Sequence, residues 1–256
     1  MTLYLADAPA VEYWRRADPS AKTRARAATP FGQDRETPPF SASDLAALEE
    51  AGVGWLSEPI HLLAPDASSR RRCKRTKLHV CSHRLPERSF VKLSSRVMVA
   101  SPELTCLSIA PSTPFPLLVE FLYELCGRYR LPDGRGGDAV ELPPATTVAG
   151  IERFADKARG VRGAADVKRA LRYACDNSLS PMETDIAETM VFDPRMGGLG
   201  LEKPQLNPRF EVTRKNRRAL PQSAYLPDLF WPRANISVEY DSDKHHRGDR
   251  KASEDA

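Results

Sequence analysis

Apolar residues three and four apart mark helices along this chain, and short apolar runs bounded by turn residues mark strands. "VEYWRRA" suggests an early helix within a first 40 residues otherwise rich in Pro, Arg, Asp and Ala. "SASDLAALEEAG" predicts a short helix, with a Ser cap, Leu45 and Leu48 at helical spacing, and Gly52 as the stop. "GWLSEPIHLLAP", "LHVCSH", "SFVKL" and "RVMVA" read as strands, so residues 53–100 are expected to form a small β-rich unit. "SPELTCLSIA" restarts a helix, with Ser101 as cap and Pro102 in its first turn. "PLLVEFLYELCGRY" continues as a strongly apolar helix ending at Gly127, and "LPDGRGGDAVELPPAT" has the Gly, Pro and Asp density of a loop. "TVAGIERFADKARG" and "AADVKRALRYACD" predict two amphipathic helices.

Toward the C-terminus "SPMETDIAETMVF" predicts a helix, followed by the Gly-rich stretch "DPRMGGLGLEKP". "GGLG" follows no strand and lacks the wider glycine pattern of a phosphate cradle, so it reads as a turn. "QLNPRFEVTR", "SAYLPDLFW" and "ANISVEYD" read as three strands. A helix followed by successive strands points to an α+β or mixed α/β sheet, with α+β the fold class expected for the chain, and the main change of composition lies near 160–178.

At 256 residues there is room for one large domain or two modest ones. No apolar run approaches the roughly 20 residues that span a bilayer, and no leader pattern opens the chain, so a cytoplasmic location and no membrane partner are expected. Five cysteines, an odd number thinly spread, suggest reduced thiols rather than a disulfide framework. Cys73, Cys81 and His83, with His61 and His79 nearby, raise the question of zinc. The seven residues between Cys73 and Cys81 exceed a knuckle's usual gap of about two to four, and incidental cysteines on small strands are the preferred reading. The net charge is only +4, but it is clustered. "RRRCKRTK" supplies Arg70, Arg71, Arg72, Lys74, Arg75 and Lys77; "RKNRR" supplies Arg214, Lys215, Arg217 and Arg218. Such clusters on a near-neutral body suit a polyanion, although each alone also reads as a solvated loop.

The acids of "PDLFWPRANISVEYD" change the picture most. Alternate side chains of a strand share a face about 7 Å apart, so Glu239 and Asp241 point one way. If the two apolar runs pair around "WPRAN", Asp228 falls roughly opposite residue 238, within one position of Glu239. Carboxylates brought that close repel one another unless a cation lies between them, and Mg²⁺ is the hard, oxygen-seeking candidate. The same acids would also serve as a charged hairpin edge that discourages sheet-to-sheet aggregation.

Taken in order, "SPME", "PD", "VEYD" and "HH" (residues 180–183, 227–228, 238–241 and 245–246) resemble the PD-(D/E)xK nuclease superfamily. Within it, they are most similar to the domain family related to very-short-patch-repair endonucleases. The resemblance implies a restriction-endonuclease-like mixed sheet with flanking helices over residues 161–256, preceded by a helical and β-rich accessory region over 1–160. It implies a Mg²⁺- or Mn²⁺-dependent endonuclease acting on DNA. Asp228 and Glu239 would hold the metal, Asp241 would be an additional acid, and His245 or His246 would serve acid–base work or phosphate contact. Glu183 matches an acid that helices of this superfamily present to the site. It also suits a capping box with Ser180, and the two roles are compatible. Asp241 stands where the family's motif places Lys, with Lys244 or the His pair as replacements. The chain ends at "DRKASEDA", where the family continues, which suggests a truncated core. The N-terminal part loosely resembles abortive-infection-type antitoxin-like regulators. Non-catalytic nucleic-acid binding or a toxin–antitoxin-type regulatory role is therefore the alternative, with a protein partner left open. A third reading is an interaction protein with a purely structural acidic hairpin.

Overall fold

The structure, a computed structural model, describes residues 2–18, 31, 40–66, 74–134, 136–212 and 223–241. These fall into two compact units, Met1–Pro181 and Met182–Ala256. The chain is mixed α/β, with seven α-helices among the described residues.

The first unit is built on a five-stranded mixed sheet. Its strands are β1 (Leu3–Leu5), β2 (Ile60–Ala64), β3 (Thr76–Val80), β4 (Phe90–Lys92) and β5 (Val97–Ala100), in the order β3-β2-β1-β5-β4. β1 runs parallel to β5 and antiparallel to β2, and β2 runs parallel to β3. The expected strands over 53–100 all form, but the strand at the sheet's centre comes from the N-terminus. β1 has only three residues, too few to show an alternating period, yet Leu3 and Leu5 are fully buried.

Helix α1 (Ala8–Arg16) follows β1 directly, and α2 (Ala42–Glu50) begins at a capping box between Ser41 and Asp44. Arg96 clamps the buried Asp44 carboxylate at 2.6 Å, tying that cap to the sheet. Helix α3 (Pro102–Ile109) starts where Ser101 Oγ accepts from Leu104 N–H at 3.2 Å, the expected cap. Helix α4 (Phe115–Cys126) buries Leu118, Val119, Phe121, Leu122 and Leu125. Its end is held by Arg130, fully buried in the short hairpin of β6 (Tyr129–Arg130) and β7 (Val140–Glu141). The Arg130 guanidinium donates to the carbonyls of Glu124 and Gly127, oxygens that a helix terminus leaves without partners, and also to those of Tyr129 and Pro143 in and beside the hairpin. Helices α5 (Val148–Lys157) and α6 (Ala164–Ala170) pack on α3 and α4. They therefore belong to the first unit, and the boundary lies at 181 rather than 160.

The second unit contains helix α7 (Pro181–Val191), then β8 (Gln205–Leu206), β9 (Phe210–Glu211), β10 (Ala224–Tyr225), β11 (Leu229–Trp231) and β12 (Ile236–Val238). Its three-stranded sheet has the order β12-β11-β8, and β9 pairs with β10 separately. Two of the three expected strands are therefore broken into pairs. Asn207 takes φ 50° between β8 and β9, and Pro227, which has no N–H for a ladder, separates β10 from β11. The "GGLG" stretch folds back along the end of α7. Leu199, Gly200 and Leu201 donate their N–H groups to Thr189, Phe192 and Met190 carbonyls. A Cβ on Gly198 would come 2.1 Å from the Phe192 oxygen, so only glycine permits this close return.

Candidate functional site

The β11–β12 hairpin closes around Pro232–Asn235 and pairs Leu229 with Val238, Phe230 with Ser237 and Trp231 with Ile236. Continued by one residue, this register sets Asp228 opposite Glu239 rather than opposite residue 238. Directly opposed residues of an antiparallel pair share a face. One face therefore carries Asp228, Phe230, Ser237 and Glu239. Leu229 and Trp231 on the other face are buried, as is Leu206, which pairs with Leu229 across β8. The apolar side anchors the sheet and leaves the acids on the accessible side, where Asp228 is half-buried and Glu239 and Asp241 are exposed.

Four hydrogen bonds organise the polar face. Asn207 donates its backbone N–H to the Asp228 carbonyl at 3.0 Å and its side-chain amide to the Glu183 carboxylate at 2.7 Å. Glu183, buried in the first turn of α7, is thereby tied to the strand that bears Asp228. The Asp228 carboxylate accepts from Tyr240 N–H at 2.6 Å, fixing it across the hairpin. Glu239 accepts from the Tyr225 hydroxyl at 2.5 Å, and the same hydroxyl lies 3.2 Å from Ser237 Oγ. The Glu239 carboxylate raises the Tyr225 pKa above its ordinary value, because the protonated phenol is the form that donates to it.

Each of those bonds uses one oxygen of its carboxylate, so Asp228 and Glu239 both keep a second oxygen. Two carboxylates on one strand face fit a hard divalent cation that retains several waters. Glu183, Asp228 and Glu239 do not, however, bring three ligand atoms within 4.8 Å of one another. Among the described residues only Asp7, His61 and His79, in the first unit, form such a group.

Asn207 and Tyr225 were not singled out in the sequence. Asn207 acts from a break between strands, where no period points, and Tyr225 reaches Glu239 across a hairpin whose register is visible only once folded. Of the basic candidates, Lys74, Arg75 and Lys77 are described and exposed, and Arg75 is paired with Glu58. Arg70, Arg71, Arg72, Arg214, Lys215, Arg217, Arg218, Lys244, His245 and His246 lie outside the described residues. Cys81 is not drawn to His61 and His79 as a ligand; its Sγ lies 3.9 Å from the His83 carbonyl. No helix among the described residues is long and apolar enough to cross a membrane. No protein-family model, curated protein or solved structure matches the chain.

Proposed function

We propose that the second unit is a PD-(D/E)xK-type nuclease domain that hydrolyses DNA phosphodiester bonds with Mg²⁺ or Mn²⁺. One observation carries this reading: the hairpin register that sets Asp228 opposite Glu239 on a polar face, with Glu183 bound to the same strands through Asn207. Of the ordered motif pieces, "SPME" opens α7, "PD" directly precedes β11 and "VEYD" begins at the last residue of β12, while "HH" lies outside the described residues. Asp228 and Glu239 would hold the ion, which when bound would activate water and stabilise charge on a phosphate. The chain's own residues prepare that site. Tyr240 N–H fixes Asp228, Tyr225 orients Glu239, and Asn207 steadies the buried Glu183. The two basic segments would hold the phosphate backbone without reading bases.

A second reading has its own support. Asp241 stands in place of the motif Lys, which suits a domain that binds nucleic acid without cutting it. The deciding experiment incubates the full chain with supercoiled plasmid and Mg²⁺ or Mn²⁺, beside Asp228→Ala and an EDTA control. Nicking that vanishes in both controls is expected. A salt-sensitive gel shift without nicking would replace the nuclease by the binding protein.

A further inference from the structure

Asp7, His61 and His79 come from three separate pieces of the first unit. His61 lies on β2, His79 on the adjacent β3, and Asp7 at the junction of β1 and α1. Parallel pairing sets Leu63 beside His79, so His61 precedes that pair by two residues and lies on the same sheet face. The imidazoles meet with His79 Nε2 at 3.1 Å from His61 Nδ1. The Asp7 carboxylate lies 3.8 Å from His61 Nδ1 and 3.5 Å from His79 Nδ1.

Two features separate this group from an ordinary ion pair. Asp7 is the N-cap of α1, a place where Asp usually accepts from the first-turn N–H groups, yet its side chain makes no capping bond. Among the described residues its carboxylate accepts no hydrogen bond, although it is largely buried. Its backbone is also held at φ 60°, ψ −134°, a conformation that non-glycine residues rarely adopt. The fold thus turns a poorly solvated carboxylate toward two ring nitrogens at distances too long for hydrogen bonds. Ligand atoms about 2.0–2.1 Å from one tetrahedral ion stand roughly 3.3 Å apart; the two imidazoles already approach to 3.1 Å, and one ligand atom from each of the three residues lies within 4.8 Å of the other two.

We propose that Asp7, His61 and His79 bind a single Zn²⁺ ion. Three protein ligands leave a fourth position open, the pattern of zinc sites that exchange a ligand rather than merely staple a fold. The position opens to a cavity of about 650 Å³, lined in part by Lys77, Ser108 and Arg162. The two cations favour water or a small anion there. The site shares no residue with the acids of the second unit, and its imidazole donors suit zinc rather than magnesium.

The test titrates the metal-free full chain with Zn²⁺ by calorimetry and with Co²⁺ by visible spectroscopy. The expected result is one equivalent bound, with a Co²⁺ spectrum of nitrogen and oxygen ligation that azide perturbs. Asp7→Asn and His79→Gln should each weaken Zn²⁺ by at least about tenfold, since even outer-shell changes typically cost that much. Asp228→Ala and the double change His245→Ala with His246→Ala should leave it unaltered. Metal-free thermal unfolding verifies that each variant is folded. If one is not, the ligand signature of the parent Co²⁺ spectrum decides. Absence of saturable binding, equal affinity in folded Asp7 and His79 variants, or a thiolate-to-cobalt charge-transfer band would overturn the site.

Discussion

Tyr225 and Asn207 show how much of the polar face rests on single side chains. The Tyr225 phenol donates to Glu239, so its protonated form is favoured in the folded chain. That contribution is fully present below the ordinary tyrosine range and is lost as pH rises through the elevated folded value. Glu239→Gln should therefore lower the alkaline midpoint of one tyrosine, read as phenolate absorbance, and the difference should vanish in a Tyr225→Phe background. An unchanged titration would mean the bond does not persist in solution. Asn207 offers a second measurement. Asn207→Gly keeps its left-handed backbone but removes a hydrogen bond to a buried carboxylate, at a cost of about 1.5–3 kcal/mol in urea unfolding. The acids themselves were legible in the sequence because strand alternation is a local property. Their partners were not, since a register and a strand break are decided by the whole sheet.

Among the elements, helices were the more legible. Each expected helix forms, because caps and three-to-four spacing are written within about ten residues of one another. Strands were legible only in part: those over 53–100 form as expected, but β1 occupies the sheet centre with three residues, and "QLNPRFEVTR" and "SAYLPDLFW" each divide where Asn207 or Pro227 interrupts the ladder. The return of 197–201 along α7 depends on a close approach that a methyl group would block. Gly198→Ala should destabilise the second unit by more than about 1 kcal/mol, seen as a lower urea midpoint for that unit, because the obstacle is backbone rather than a mobile side chain. In α3 and α4, burial pushes the Cys106 and Cys126 thiols well above their ordinary pKa. Both should resist alkylation at neutral pH until the chain unfolds, as mass spectrometry of iodoacetamide-treated protein would show.

For the whole molecule, the division at Pro181 implies that the first unit carries its own core. A chain of residues 1–181 should unfold cooperatively and, if the zinc site is correct, bind Zn²⁺ as the full chain does; a molten fragment would refute the division. Sequence composition placed the change near 160–178 because α5 and α6 are amphipathic on their own, and nothing local shows which core receives them. The conformation of Asp7 has a consequence for how such a chain can change. Its φ and ψ are the mirror image of an ordinary extended residue, a region glycine enters freely. Asp7→Gly should raise thermal stability, by about 1 kcal/mol after the entropic cost of glycine, while deleting one of the three proposed ligands. Selection for robustness alone would thus erode this position, and its retention as Asp in a heat-challenged library grown with zinc would mark the ligand, rather than the fold, as what preserves it.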